Sequence, residues 1–487
     1  MSDFNYELFC KASHANTTSD AGVCAAFERM EGMADGLDTF YLLFAAAFVF
    51  FMQTGFAMLC TGSIRRMNAK NIMLKNILDA VVGGALGFWS VSYAFAYGGA
   101  DSSKKGFIGN TGFFLTDFTT GSELIGWFFQ FAFAATAATI VAGTVAERCK
   151  FEAYLAYSLM LTGFVYPVVV YLIWSSSGWI TALNADPFLG CGMHDFAGSG
   201  VVHMIGGMTA LIAAKILGPC IGRFTDSAGN HLPEPVSFPP HSAALQVLGT
   251  FIMWVGGTAS TPALPWPSLE VNLRHAATGS VSALFTDMIS NRRKTGEIEY
   301  DITMCTNGAR SGLVAITARC AVLTPWAAFV TGVVGGWVYI FFSKLLVRLR
   351  IEDAVDAIPV HFGNGIWGCI AVGLFAEPSR TANAYSEHGH YGMFYGTGGN
   401  LLGAQCAFGI LWIIGWVATI MTPYFLLLHT LQIFHVDMIE EEIGLDISHC
   451  KGAAYDISGP SKEIVEQFEL LRSSYARSHQ KDDAGCS

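Results

Sequence analysis

Stretches of apolar residues long enough to cross a bilayer recur along almost the whole chain, and no other feature limits its fold as tightly. They fall at about 40–62, 77–98, 122–145, 153–173, 196–217, 241–264, 272–290, 302–323, 325–347, 357–376 and 399–433. A spanning helix needs ~20 mostly apolar residues, each advancing it about 1.5 Å through hydrocarbon. Helices satisfy every backbone polar group within such a segment, so the predicted fold class is an all-α polytopic membrane protein with eleven transmembrane helices. The seventh stretch is the weakest, because Arg274, His275 and Asp287 interrupt it. With 52% hydrophobic and 13% charged residues, the 487-residue chain has too little polar surface for a soluble enzyme of its length. It has no basic patch, which excludes a nucleic-acid partner.

Basic residues of the short loops set the orientation. Arg65, Arg66, Lys70, Arg148, Lys150, Arg223, Arg292, Arg293, Lys294, Arg348 and Arg350 fall on one side, against Lys104, Lys105, Arg274 and Arg380 on the other. The N-terminus is therefore expected outside and the C-terminus in the cytoplasm. This divides the chain into an extracellular segment (1–37), a transmembrane domain (38–434) and a cytoplasmic tail (435–487). Residues 1–37 lack a basic region followed by an apolar one, so no cleavable signal peptide is read there. They carry Asn16-Thr17-Thr18, the pattern of a glycosylation acceptor, and Cys10 and Cys24. A disulfide and two free thiols are equally compatible with that pair. Cys60, Cys320, Cys369 and Cys406 lie within apolar runs and read as small packing residues.

Two of the apolar runs open in the same way. Asp195 precedes His203 by eight residues, as Asp353 precedes His361, and the two units are 158 residues apart. On a helix that spacing is roughly 12 Å, which puts each aspartate at a helix mouth and each histidine near mid-depth. An odd number of spans with a repeated unit suggests a five-plus-five inverted repeat and one C-terminal helix, bringing the histidines together near the midplane. Ionisable groups at that depth are costly and usually face a partner, a cavity or a pathway. A single histidine in an apolar helix is more often a packed core residue, and His194 and His241 are read so. The pair can instead form a polar rail that accepts from, donates to or relays a proton for a small solute. A metal site is the rival use, but no third ligand lies near in the pattern, and no cofactor-binding stretch is present.

The runs Met52-Gln-Thr-Gly-Phe-Ala-Met-Leu-Cys60, Ala146-Glu-Arg148, Tyr166-Pro-Val-Val169, Asp195-Phe-Ala-Gly-Ser-Gly-Val-Val-His203 and Pro325-Trp-Ala-Ala328 resemble the plant and algal branch of the Amt/Mep/Rh ammonium transporter family. The resemblance covers residues 38–456. It implies a homotrimer in the plasma membrane with one ammonium or ammonia pore per subunit. It makes His203 and His361 the conducting pair and Asp195 the acid at the fifth helix mouth. Phe129 and Trp174 become aromatic residues of an outer recruitment vestibule, and Phe133 a gating ring. An aromatic vestibule draws in a small cation through ring quadrupoles, by roughly 0.5–2 kcal/mol. An ammonium ion then sheds its proton where Na+ and K+ cannot, which gives selectivity in a dry pore.

The chain also departs from the family pattern. Ser260 stands in place of a second gating Phe, Leu264 in place of a recruitment-site Ser, and Arg310 and Arg319 replace small or apolar residues. Arg319, near a helix end, is expected to snorkel. These departures keep open a non-conducting ammonium sensor and an electroneutral ammonia channel beside the transporter. In the tail, Phe434 to Ser448 resembles the family's regulatory segment. Ser448 stands at its phosphorylated position, with a kinase as implied partner, and a solvated acidic stretch with no switch is the competing reading.

Overall fold

The computed structural model describes residues 18–226, 228–258, 267–386 and 389–455. Cys10, Asn16, Ser260, Leu264 and residues 457–487 lie outside them. Among the described residues there is no β-strand, only four isolated bridges. The long helical segments are α1 (Thr18–Ser63), α2 (Arg66–Tyr97), α3 (Gly121–Val145), α4 (Phe151–Trp174), α5 (Ser199–Leu217), α6 (Ala243–Thr258), α7 (Pro267–Thr295), α8 (Ile302–Thr317), α9 (Pro325–Arg348), α10 (Ile358–Phe375) and α11 (Asn400–Thr430). Two short helices follow, α12 (Met438–Ile443) and α13 (Leu445–Cys450). Eight of the described helices are long and apolar enough to cross a membrane: α1 to α5 and α9 to α11. The helix α6 is apolar but shorter.

Local chemistry sets several boundaries. Alanine, glutamate and methionine carry α1 back from the apolar run near residue 40 to Thr18, so much of the expected extracellular segment is a helical extension. The Thr120 hydroxyl and the Glu123 carboxylate form a reciprocal cap that starts α3. Pro325 opens α9, where its missing N–H costs nothing.

The spans are not equally covered. Within α5 and α10, 78% of the apolar window is buried, against 39% in α1 and 28% in α11, so α5 and α10 form the centre. Phe40, Phe44 and Phe51 of α1 stay exposed, as suits lipid contact. The helix α3 packs on α1, α2 and α5, and α8 packs on α6, α7 and α10. The crossing of α5 and α10 depends on glycine. A Cβ at Gly207 would lie 2.4 Å from the Phe362 backbone nitrogen, and one at Gly365 would lie 2.7 Å from the Ser199 carbonyl oxygen.

Two sequence expectations change at this level. The eight residues from each aspartate to its histidine are not one continuous helix: Asp195 and Asp353 sit in turns before α5 and α10. Both helices begin with a π-helical turn, Ser199–Met204 and Ile358–Gly363, and each turn holds its histidine. Arg319 does not snorkel. It is fully buried with its guanidinium over the Trp367 ring at 5.8 Å, because the polypeptide on every side closes its route to water.

Candidate functional site

The turn that starts α5 is built by one carboxylate. Asp195 Oδ1 accepts from the Gly198 amide at 3.0 Å, while Oδ2 accepts from Gly200 and Val201 at 2.9 and 2.8 Å. These are amides that a helix start leaves without partners. Gly198 takes a φ of 100°, a left-handed conformation that favours glycine. The His203 amide then reaches back five residues to the Gly198 carbonyl at 3.0 Å, which makes the turn a π turn. The second turn is capped alike, with the Ile358 amide and the Thr144 hydroxyl donating to Asp353 at 2.6 and 2.9 Å.

The two π turns bring their histidines into contact. Nδ1 of His203 lies 3.0 Å from Nδ1 of His361, with ring planes 20° apart and centroids at 5.1 Å. One proton held between the two Nδ1 atoms leaves one Nε2 on each ring for a solute. The rings border a cavity of about 50 Å³, whose wall also includes Phe56, Phe133, Thr136, Met253 and Arg310. That volume has room for a molecule the size of ammonia or water.

The expected aromatic residues meet at Phe133 of this cavity's wall. Phe133 stands edge-on to Phe129 at 5.0 Å and to Trp174 at 5.8 Å. Trp174 is tied down by its indole N–H, which donates to the Asp195 carbonyl oxygen at 2.6 Å. Asp195 therefore adjoins the ring cluster through its backbone, while its own carboxylate, 2% exposed, faces the amides of α5. Its placement is that of a cap.

His194 packs as expected, stacked on Tyr385 at 4.0 Å with Nε2 3.2 Å from the Cys191 carbonyl. His241 bridges the Ile64 carbonyl and the Tyr455 hydroxyl, at 3.0 and 3.1 Å. Ser448 lies on α13, where its hydroxyl donates to the Gly444 carbonyl at 3.2 Å. Cys24 is disulfide-bonded.

A buried ionic network at the end carrying the C-terminal helices escaped the sequence reading. Arg148 pairs with Glu352 at 2.8 Å and Arg65 with Glu147 at 3.0 Å, and Cys220 lies between the two pairs. Glu147, Cys220 and Glu352 have the donor atoms of a metal group. The guanidinium groups already supply the positive charge there, so the trio reads as part of an ion-pair network. Burial acts to raise the Glu147 carboxyl, and Arg65 with Asn68 outweighs it, holding the group below the ordinary glutamate value. Glu441 of α12 joins the network, accepting from the Ile221 amide at 2.8 Å with Arg65 at 3.9 Å. The tail is docked further by Leu445 on Asn68 (2.9 Å) and by Asp446 on the Asn71 amide (2.8 Å). The Ala146-Glu-Arg148 run was the one signal in the sequence that pointed to this network.

Residues 40–455 match the family model described as Ammonium Transporter Family. The chain is 40% identical over 462 residues to ammonium transporter 1 member 3 of Solanum lycopersicum, covering 90% of this chain and 97% of the relative. It is 41% identical over 472 residues to ammonium transporter 1 member 1 of Oryza sativa subsp. japonica, covering 92% of each. Among solved structures, one described as a sensor Amt protein aligns with a TM-score of 0.73 at 30% identity, over 86% of this chain and 99% of that one. Candida albicans Mep2 shares the fold, with a TM-score of 0.70 at 24% identity over 82% of this chain and 86% of that one. With its apolar helices, its paired histidines and a family match running through both, the chain is a multi-pass membrane protein that belongs to the ammonium transporter family.

Proposed function

We propose that this chain is an ammonium transporter rather than an enzyme, and that it passes ammonia through the cavity between His203 and His361. The contact of the two rings at 3.0 Å inside that cavity carries the reading. Phe129 and Trp174 form an outer vestibule that draws in ammonium through their ring faces. Phe133 gates entry, and Asp195 holds the vestibule and the His203 turn in register. The ion gives up its proton at the gate, because a bare cation in so small and dry a space meets a desolvation penalty of at least several kcal/mol.

The membrane arrangement belongs to the same proposal. Eleven spans are ordered as two inverted halves of five plus α11, with residues 1–37 outside, 38–434 in the membrane domain and 435–487 in the cytoplasm of a plasma-membrane protein. The helix contacts support this, since packing of α3 on α1, α2 and α5 recurs five helices later in α8 on α6, α7 and α10. The basic loops support the orientation. The family resemblance supports three copies in a trimer. In the tail, a kinase acting on Ser448 would add about −1.5 to −2 charges close to buried Asp446 and undock the segment.

Uptake of labelled ammonium tests the transport reading, in a cell that lacks its own ammonium uptake. Wild type should show saturable uptake, and His203→Ala and His361→Ala should each lose it at matched surface expression. Uptake that survives both substitutions would exclude the histidine pair as the route.

A further inference from the structure

Beside the histidine pair stands a ring that neither conduction nor gating accounts for. Phe56 of α1 is 3% exposed and borders the same space as His203 and His361. Its ring centroid lies 6.1 Å from that of His361, with the planes 40° apart. Phe133 stands with Phe129 and Trp174, whereas Phe56 stands against the histidine itself. The helix that carries this ring is fixed on two sides. Toward α3, the Gln53 amide donates to Thr136 at 3.1 Å, and its carbonyl oxygen accepts from Thr139 at 2.7 Å. Toward α6, the backbones meet through glycine: a Cβ at Gly55 would lie 2.9 Å from the Gly249 carbonyl oxygen, and one at Gly249 would lie 2.5 Å from the Leu59 nitrogen. A planar ring on a helix so held is a rigid wall, because an interior packed at this density resists local expansion.

We propose that Phe56 sets the width of the pore beside His361 and is the residue by which this protein discriminates against alkylated ammonium. The inference rests on the transport reading and adds which substrates the pore admits. The space of about 50 Å³ has room for a molecule the size of ammonia. Methylated substrate brings a second heavy atom, and that atom is apolar. With its nitrogen at the imidazoles, the methyl group has to find its volume against the Phe56 ring. Forcing an extra carbon against a tightly packed wall drives side chains off their preferred rotamers. One carbon of misfit in an apolar pocket corresponds to roughly 10- to 200-fold discrimination. A smaller side chain at position 56 removes the wall and leaves both histidines in place.

The test measures uptake of labelled ammonium and labelled methylammonium, each well below saturation, by full-length wild type, Phe56→Leu and Phe56→Ala at matched surface expression. The readout is the ratio of methylammonium to ammonium uptake, which general damage to the fold does not move because it lowers both labels together. Wild type should give a ratio at or below ~0.1, and Phe56→Ala should raise it at least ~10-fold, with Phe56→Leu between them. A wild-type ratio near one would overturn the proposal while leaving transport intact. An equal ratio in all three proteins would do the same. Loss of both labels in the two variants at normal surface level would make Phe56 a support of the fold and refute it. Should Phe56→Ala fail to reach the surface, Phe56→Leu decides alone, a raised ratio supporting the proposal and an unchanged one refuting it. Absence of ammonium uptake by wild type would remove the transport reading together with the size limit.

Discussion

Replacing Asp195 separates a capping role from a cation-binding role. Its carboxylate accepts three backbone N–H bonds, from Gly198, Gly200 and Val201, in a site 2% exposed. Each buried amide left without an acceptor costs about 1–3 kcal/mol. Asp195→Ala abandons all three, so destabilisation of roughly 3–6 kcal/mol is expected, allowing for partial relaxation. Asp195→Asn can keep its oxygen toward Gly200 and Val201 and loses only the Gly198 bond, for about 1–3 kcal/mol. The π turn that positions His203 starts on these amides, so uptake should fall in the same order, with wild type above Asn and Asn above Ala. Thermal unfolding of the detergent-solubilised protein, followed by tryptophan fluorescence, gives the stability order, and labelled-ammonium uptake at matched surface expression gives the activity order. A stable and active Asp195→Ala would refute the capping argument. A fully stable but inactive Asp195→Asn would show that the negative charge acts on the cation itself.

Arg148→Ala should destabilise the protein by about 3–5 kcal/mol, because it leaves buried Glu352 with only the more distant Arg223 at 3.9 Å, and Arg148→Ala with Glu352→Gln should recover part of the loss. Additive effects in denaturation of the two single variants and the double variant would refute direct coupling across the 2.8 Å contact. Ser448→Glu should expose the tail to limited proteolysis near residues 435–455 and lower uptake several-fold, with Ser448→Ala unchanged in both. Equal protection of the two variants would show that charge at this position does not control docking.

Eight of the apolar runs and the two Asp-to-His units were legible because each is written in consecutive residues, and the contact of His203 with His361 is the one their repeated spacing suggests. The turns around them were not legible. A π turn depends on Gly198 adopting a left-handed conformation and on the Asp195 carboxylate folding back, neither of which alters the apolar pattern. The ionic network was hidden for another reason. It joins Arg65 to Glu147, Arg148 to Glu352 and Ile221 to Glu441, residues 82, 204 and 220 positions apart, which single-sequence spacing does not reveal. Arg310 stood out as a charge within a span, but its place on the cavity wall depends on α8 packing against α10, and that is a property of the whole bundle.

The docked tail has a consequence for how the chain is made. Asn68, Asn71 and Arg65 emerge from synthesis hundreds of residues before Leu445, Asp446 and Glu441, the groups they meet in the finished protein. The short stretch Phe434–Val436 closes on Lys150 and Arg148 in the same belated way, through bonds of 3.0 and 2.9 Å. The apolar helices can thus form before these polar partners meet. The last described residues act as a latch that completes the assembly, so a chain cut short before residue 434 should reach the membrane but leave this face unlocked and open to quality control.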